Sequence, residues 1–179
     1  MASSTTLEIR VHGKGGHGSV PHLINDVISA GSAIIANTHS IKSRLIDPMQ
    51  KFVLSITKFE SGYTYNVFPD DALILGTLRC YSNTLRDQIK EKLVNIVNST
   101  AEPFGCTAEV IFNDKYPATV NSKTETEHVI RLTKEHFGEN FFTSFDLPIT
   151  GSEDFSFYLL ERPGCFFFLG TYKPNSEMV

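Results

Sequence analysis

Cysteine is scarce and unpatterned: three residues, Cys80, Cys106 and Cys165, are spread over 179 positions. The number is odd and none forms a C-x-x-C pair, so neither a disulfide framework nor a thiolate metal or redox site is indicated, and free thiols in a reducing compartment are expected. Basic excess is lacking as well. Lys and Arg number 16 against 20 Asp and Glu, a formal charge of −4, with a pI near 5.8, which argues against a general polyanion binder. No run approaches the roughly 18 apolar residues of a membrane span. The opening Met1-Ala2-Ser3-Ser4-Thr5-Thr6 has neither the basic start nor the apolar stretch of a secretory leader. These absences set the expectation of a cytoplasmic or other soluble compartment, with no nucleic-acid and no membrane partner. The glycosylation triplet Asn98-Ser99-Thr100 would matter only in a secreted chain.

What is present is ordinary for a globular chain: 41% hydrophobic and 20% charged residues, which argues against wholesale disorder. Leu7-Glu8-Ile9-Arg10-Val11 alternates strictly and reads as a half-buried strand. After a glycine-rich turn, Asp26 is expected to cap a helix with an apolar face of Val27, Ile34, Ile41 and Leu45, stopped by Asp47-Pro48. Phe52 to Phe59 and Ala72 to Tyr81 read as the next strands. Asn83 is expected to cap a second helix carrying Leu85, Ile89, Leu93 and Ile96, with Pro103-Phe104-Gly105 past its end, and Thr107 to Phe112 is the fourth strand. The order β-α-β-β-α-β predicts an α+β, ferredoxin-like domain over residues 7–117: a four-stranded antiparallel sheet with both helices on one face.

Beyond Pro117 the pattern changes. Thr124 to His136 predicts a helix ended by Gly138, Thr150 to Asp154 a helix start, and Cys165-Phe166-Phe167-Phe168-Leu169 a fully buried strand. Residues 118–179 are too few to cover both faces of such a strand, and read as part of a larger α/β domain.

Gly13-Lys14-Gly15-Gly16-His17-Gly18 satisfies G-x-G-x-x-G after a strand, but Pro21 separates it from the helix whose N-terminus would meet a pyrophosphate. A loop that displays His17 is the better reading. His17, His22 and Asp26 match no defensible zinc spacing and are either turn residues satisfied locally or, for His17, a donor in an active site. The third strand, Ala72 to Arg79, lacks the aromatic residues with which an RNA-recognition sheet stacks bases. Arg79, near the end of that strand, is either a surface ion-pair residue or a carboxylate-binding fork. Glu153 and Asp154 diverge on a helix and suit first-turn capping better than paired acid/base work.

Four segments in order resemble the M20 metallopeptidase family. They are Gly13 to His22 with Asp26, Asn66-Val67-Phe68-Pro69, Gly76-Thr77-Leu78-Arg79, and Gly151-Ser152-Glu153-Asp154-Phe155. The nearest likeness is to the amidohydrolase branch, which includes aminoacylase-like, hippurate-hydrolase-like and auxin-conjugate-hydrolase-like enzymes. Phe68 stands where the family more often has Ile. The resemblance implies a parent enzyme that hydrolyses the amide bond of N-acyl amino acids or related conjugates. Its catalytic domain would carry a dinuclear centre of divalent metal, zinc or manganese, and an inserted lid would mediate homodimerisation. It implies that residues 7–117 are the lid and 118–179 a partial catalytic domain. By the same resemblance His17 and Asn66 are catalytic, helping to hold the oxyanion in the partner's site, while Arg79, Gly151 and Ser152 bind substrate. Most metal ligands and the general base lie before the lid in the family, and the last ligand is a His with no counterpart after His136. The expectation is therefore a fragment that binds no metal and is inactive alone. The competing expectation is a stand-alone ferredoxin-like dimerisation or small-molecule-binding module.

Overall fold

Leu7, Ile9 and Val11 are buried while Arg10 stays outside, so the alternation in the sequence becomes the inner and outer faces of β1 (Ser4–His12). The computed structural model describes residues 1–144 and 147–170. After β1 come a two-residue strand β2 (Gly16–His17), helix α1 (Val27–Ser40), β3 (Phe52–Ser61), a second two-residue strand β4 (Val67–Phe68) and β5 (Asp71–Cys80). Helix α2 (Asn83–Ala101), β6 (Thr107–Tyr116), α3 (Lys123–Phe137) and α4 (Phe155–Glu161) follow. The four long strands form one antiparallel sheet in the order β3-β5-β1-β6. Ala72, Ile74 and Leu78 from β5 join Ile9 and Val11 from β1 beneath Val27 and Ile34 of α1 and Ile89, Leu93 and Val97 of α2. This is the ferredoxin-like arrangement read from the sequence.

The helices begin and end for local reasons. Asp26 caps α1, its Oδ1 accepting from the Ile28 and Ser29 amides at 2.9 and 3.1 Å. The expected cap of α2 shifts by one residue: Ser82, not Asn83, holds that position, its hydroxyl accepting from the Leu85 amide at 3.4 Å. Leu45 leaves the apolar face on which it was expected and is 44% exposed. The cause is a π turn over Ile41–Leu45, closed by the Ile46 amide on the Ile41 carbonyl, which widens the spiral and swings Leu45 outward. In β3 a bulge between Ile56 and Lys58 changes which side chains face in, and Phe59 packs against α1. Gly31 makes room for it, since a Cβ there would lie 2.7 Å from the Phe59 ring.

The buried strand expected at Cys165–Leu169 is absent. Those residues belong to no strand, and Phe167, Phe168 and Leu169 are 63%, 55% and 82% exposed. An extended apolar run becomes a strand only when a neighbouring strand takes up its backbone groups, and among the described residues no strand pairs with it. Instead Asn121 brackets the segment, its Oδ1 accepting from the Phe166 amide and its Nδ2 donating to the Phe166 carbonyl. Helix α3 forms where the sequence puts it, ending at Gly138 with a φ of 100°. Helix α4 starts later than expected: Thr150 to Glu153 lie before it, and Asp154 takes the N-cap position without a side-chain cap bond, so neither acid caps a first turn. Among the described residues no helix is long and apolar enough to cross a membrane.

Candidate functional site

The glycine-rich turn is pinned at several points. The Gly13 amide donates to the Asp70 carbonyl at 2.8 Å and the Gly15 amide to Asp70 Oδ1 at 2.7 Å. Lys14 pairs with Asn25 through both backbone groups. Asn25 is itself tied to the far side of the fold, its Nδ2 donating to the Gly105 carbonyl at 2.7 Å. Glycine is required at the contact with β4, because a Cβ at Gly15 would stand 2.3 Å from the Phe68 carbonyl oxygen. The turn then pairs with the segment before β5: Gly16 lies opposite Phe68 and His17 opposite Val67. The Gly18 amide donates to the Asn66 carbonyl at 2.7 Å.

His17 and Asn66, 49 positions apart by number, are thus neighbours on one exposed ribbon of two short strands, a hairpin in shape though not in connectivity. The His17 ring has a defined setting. Its Nδ1 lies 2.7 Å from the Ser19 hydroxyl and 3.2 Å from the Ser19 amide. Two tyrosines on the same loop as Asn66, Tyr63 and Tyr65, are fully open to solvent. His22 is exposed on the following turn, and Asp26 is engaged in capping α1. The locally satisfied reading therefore holds for Asp26.

The remaining residues of interest lie elsewhere. Arg79 is half-buried near the end of β5, its Nη1 donating to Thr77 Oγ1 at 2.5 Å and to the Leu78 carbonyl at 3.2 Å. Among the described residues no ion pair involves it. Gly151 accepts from the Ala2 amide at 2.9 Å, and the next residue, Ser3, bonds Cys80 through both its amide and its hydroxyl. Gly151 and Ser152 therefore sit at the Arg79 end of the sheet. The His17 hairpin sits at the other end, where Asp71 begins β5 opposite His12. Eight residues of extended strand separate Asp71 from Arg79, roughly 25 Å at about 3.3 Å per residue. One chain brings His17 together with Asn66, places Arg79, Gly151 and Ser152 at the opposite end of the sheet, and so holds the two groups apart.

Sequence reasoning did not find β2 and β4, the device that joins His17 to Asn66; two-residue strands carry no periodicity to read. It also passed over Ser19 and Asp70, whose signal is only that short polar residues flank a glycine turn.

The comparisons agree with this architecture. The sequence profile of the peptidase dimerisation domain matches residues 2–105. Thermostable carboxypeptidase 2 of Saccharolobus solfataricus is 41% identical over 96% of this chain and 43% of its own length. Hippurate hydrolase of Campylobacter jejuni is 34% identical over the whole of this chain and 48% of its own. Among solved structures, a Bacillus subtilis protein described as a dinuclear metal-binding peptidase of the M20 family superposes with a TM-score of 0.75. It is 26% identical, with 93% of this chain and 40% of that one covered. The chain spans less than half the length of these relatives. With its dimerisation domain matched and its relatives among amide-cleaving enzymes, the chain belongs to the M20 metallopeptidase family, in its amidohydrolase branch.

Proposed function

We propose that this chain is the lid, with part of the catalytic domain, of a metal-dependent amidohydrolase that cleaves the amide bond of N-acyl amino acids or related conjugates. Residues 7–117 are the lid and 118–179 the partial catalytic domain. The observation that supports the reading is the pinned hairpin that presents His17 and Asn66 to solvent at one end of the sheet, while Arg79, Gly151 and Ser152 lie at the other.

A dinuclear metal centre does not fit the residues present: among the described residues no three His, Cys, Asp or Glu side chains gather where they could hold an ion. The zinc or manganese of the parent enzyme is assigned to segments outside these 179 residues. What this chain contributes is donors. His17 and Asn66 are placed to donate hydrogen bonds to the oxygen of the amide carbonyl as it gains charge, an interaction worth about 3–4 kcal/mol per donor in a water-poor site. Arg79 suits the substrate carboxylate, because the Nε–Nη2 edge of its guanidinium takes no part in its bonds to Thr77 and Leu78. Gly151 and Ser152, at the same end of the sheet, would contact the substrate beside it.

An N-acyl amino acid is far shorter than the roughly 25 Å of β5 between Asp71 and Arg79, so one substrate is not expected to touch both groups in a single chain. Two copies are needed, the hairpin of one meeting the Arg79 end of the other, which is what a dimerisation domain provides. The test is hydrolysis of N-acetyl and N-benzoyl amino acids by the full-length enzyme and its His17→Ala variant. The variant is expected to lose about 10²–10³ in kcat with KM little changed, because the donor acts on the transition state. A variant that keeps more than half of the wild-type kcat would remove His17 from the site. The 179-residue chain by itself is expected to hydrolyse neither substrate.

A further inference from the structure

We infer that Ser19 is a positioning residue that holds the His17 ring as its Nε2–H tautomer, so that the single N–H of the neutral imidazole faces out of the hairpin. A backbone N–H can only donate, and the Ser19 amide meets His17 Nδ1 at 3.2 Å. That nitrogen must then carry a lone pair, which puts the proton of the neutral ring on Nε2. The Ser19 hydroxyl, 2.7 Å from the same nitrogen, donates to it too. An exposed histidine would otherwise interchange tautomers and rotate freely. Here the turn limits both, since Gly18 is bonded to Asn66 and the Val20 amide donates to the His17 carbonyl at 3.1 Å. Ser19 is thus clamped from either side, and its two donors converge on one face of the ring.

The consequence for catalysis rests on the proposed role of His17. A ring locked this way presents a donor, never a lone pair, to whatever lies beyond the hairpin, and suits a carbonyl or oxyanion oxygen rather than a metal ion. A histidine that ligates through Nε2 would need the opposite tautomer.

The test is independent of activity. Two-bond proton–nitrogen NMR correlation on the 179-residue chain, above the titration range of the imidazoles, distinguishes N–H nitrogens from lone-pair nitrogens. The exposed His22 serves as an internal reference. His17 is expected to show Nδ1 at the lone-pair position and Nε2 at the N–H position. Ser19→Ala removes the hydroxyl donor at 2.7 Å and keeps the weaker backbone amide at 3.2 Å, so it should move both resonances part of the way toward the averaged pattern of His22, and Ser19→Thr should keep the wild-type pattern. Unchanged backbone amide shifts in β1 and β5 would establish that the fold is intact. A proton on Nδ1 in the wild type, or an unchanged His17 pattern in Ser19→Ala, would overturn the inference. In the full-length enzyme Ser19→Ala should lower kcat while leaving KM, with Thr restoring it. A tautomer change without a kcat change would overturn the role of His17 in catalysis and leave the tautomer assignment standing.

Discussion

Two donors of Ser19 converge on one nitrogen of His17, and at this scale the hairpin is a device for presenting a single N–H. A second residue-scale arrangement concerns stability. Asp114 on β6 accepts from Thr5 at 2.6 Å and from Lys90 at 2.5 Å, with Arg86 nearby. Partial burial alone would push its carboxyl up, but the bonds from Lys90 and Thr5 and the charges of Arg86 and Lys90 outweigh it and hold it below its ordinary value of 3.8. A carboxyl depressed by folding stabilises the fold above its unfolded value, and that contribution disappears as the pH falls through the folded value. Asp114→Asn should therefore unfold at lower denaturant than wild type at neutral pH, by a small margin because the group is partly exposed. The difference should shrink as the pH drops below about 3.8. Equal unfolding midpoints at pH 7, or a gap that widens in acid, would contradict this. The buried Cys80 thiol, pushed up to about 11 chiefly by burial, belongs to the core and not to the chemistry, as the sequence reading of free thiols expects.

Among the elements, the turn between β1 and α1 couples fold to site. It is fixed by Asp70 on one side, by Asn25 on the other and by the close approach of Gly15 to the Phe68 carbonyl. Gly15→Ala should push the turn off β4, since its Cβ would meet that oxygen at 2.3 Å. The expected effect is a loss of His17 order, read as collapse of the amide shift dispersion of residues 16–18, with the main unfolding transition of the sheet little moved. A cooperative loss of global stability of several kcal/mol, the range for damage to a packed core, would show that the turn is part of the core instead. The sheet and its helices were legible because alternation in β1 and β6 and the spacing of Leu85, Ile89 and Leu93 are direct images of buried faces. The failures have physical causes. Ser82 and Asn83 are both good caps, and only backbone geometry chooses between them. Leu45 obeyed helical spacing until a π turn broke it. The run at Cys165 carried strand composition without strand neighbours. As for the site, only the display of His17 was readable from residues alone. Its pairing with Asn66 came from the family resemblance, because contact between distant short strands leaves no local mark.

In the whole molecule the two halves differ in how much they bury. The sheet with α1 and α2 encloses the core, whereas α3 has no fully buried residue and Phe137, Phe141, Tyr158, Leu160 and Leu169 are open to solvent. An apolar surface of that extent fits a segment meant to be covered by the rest of a larger domain, in keeping with a chain that spans less than half of its relatives. The same scale holds the central claim, that His17 and Arg79 serve one substrate only across two copies. It is tested most directly by complementation in the full-length enzyme, combining His17→Ala subunits with Arg79→Ala subunits. Each mixed dimer has one site with both residues intact, so random pairing of two inactive variants should restore about one quarter of wild-type activity. A mixture no more active than either variant alone would mean that both residues act within a single chain or that one does not act at all, and would contradict the account.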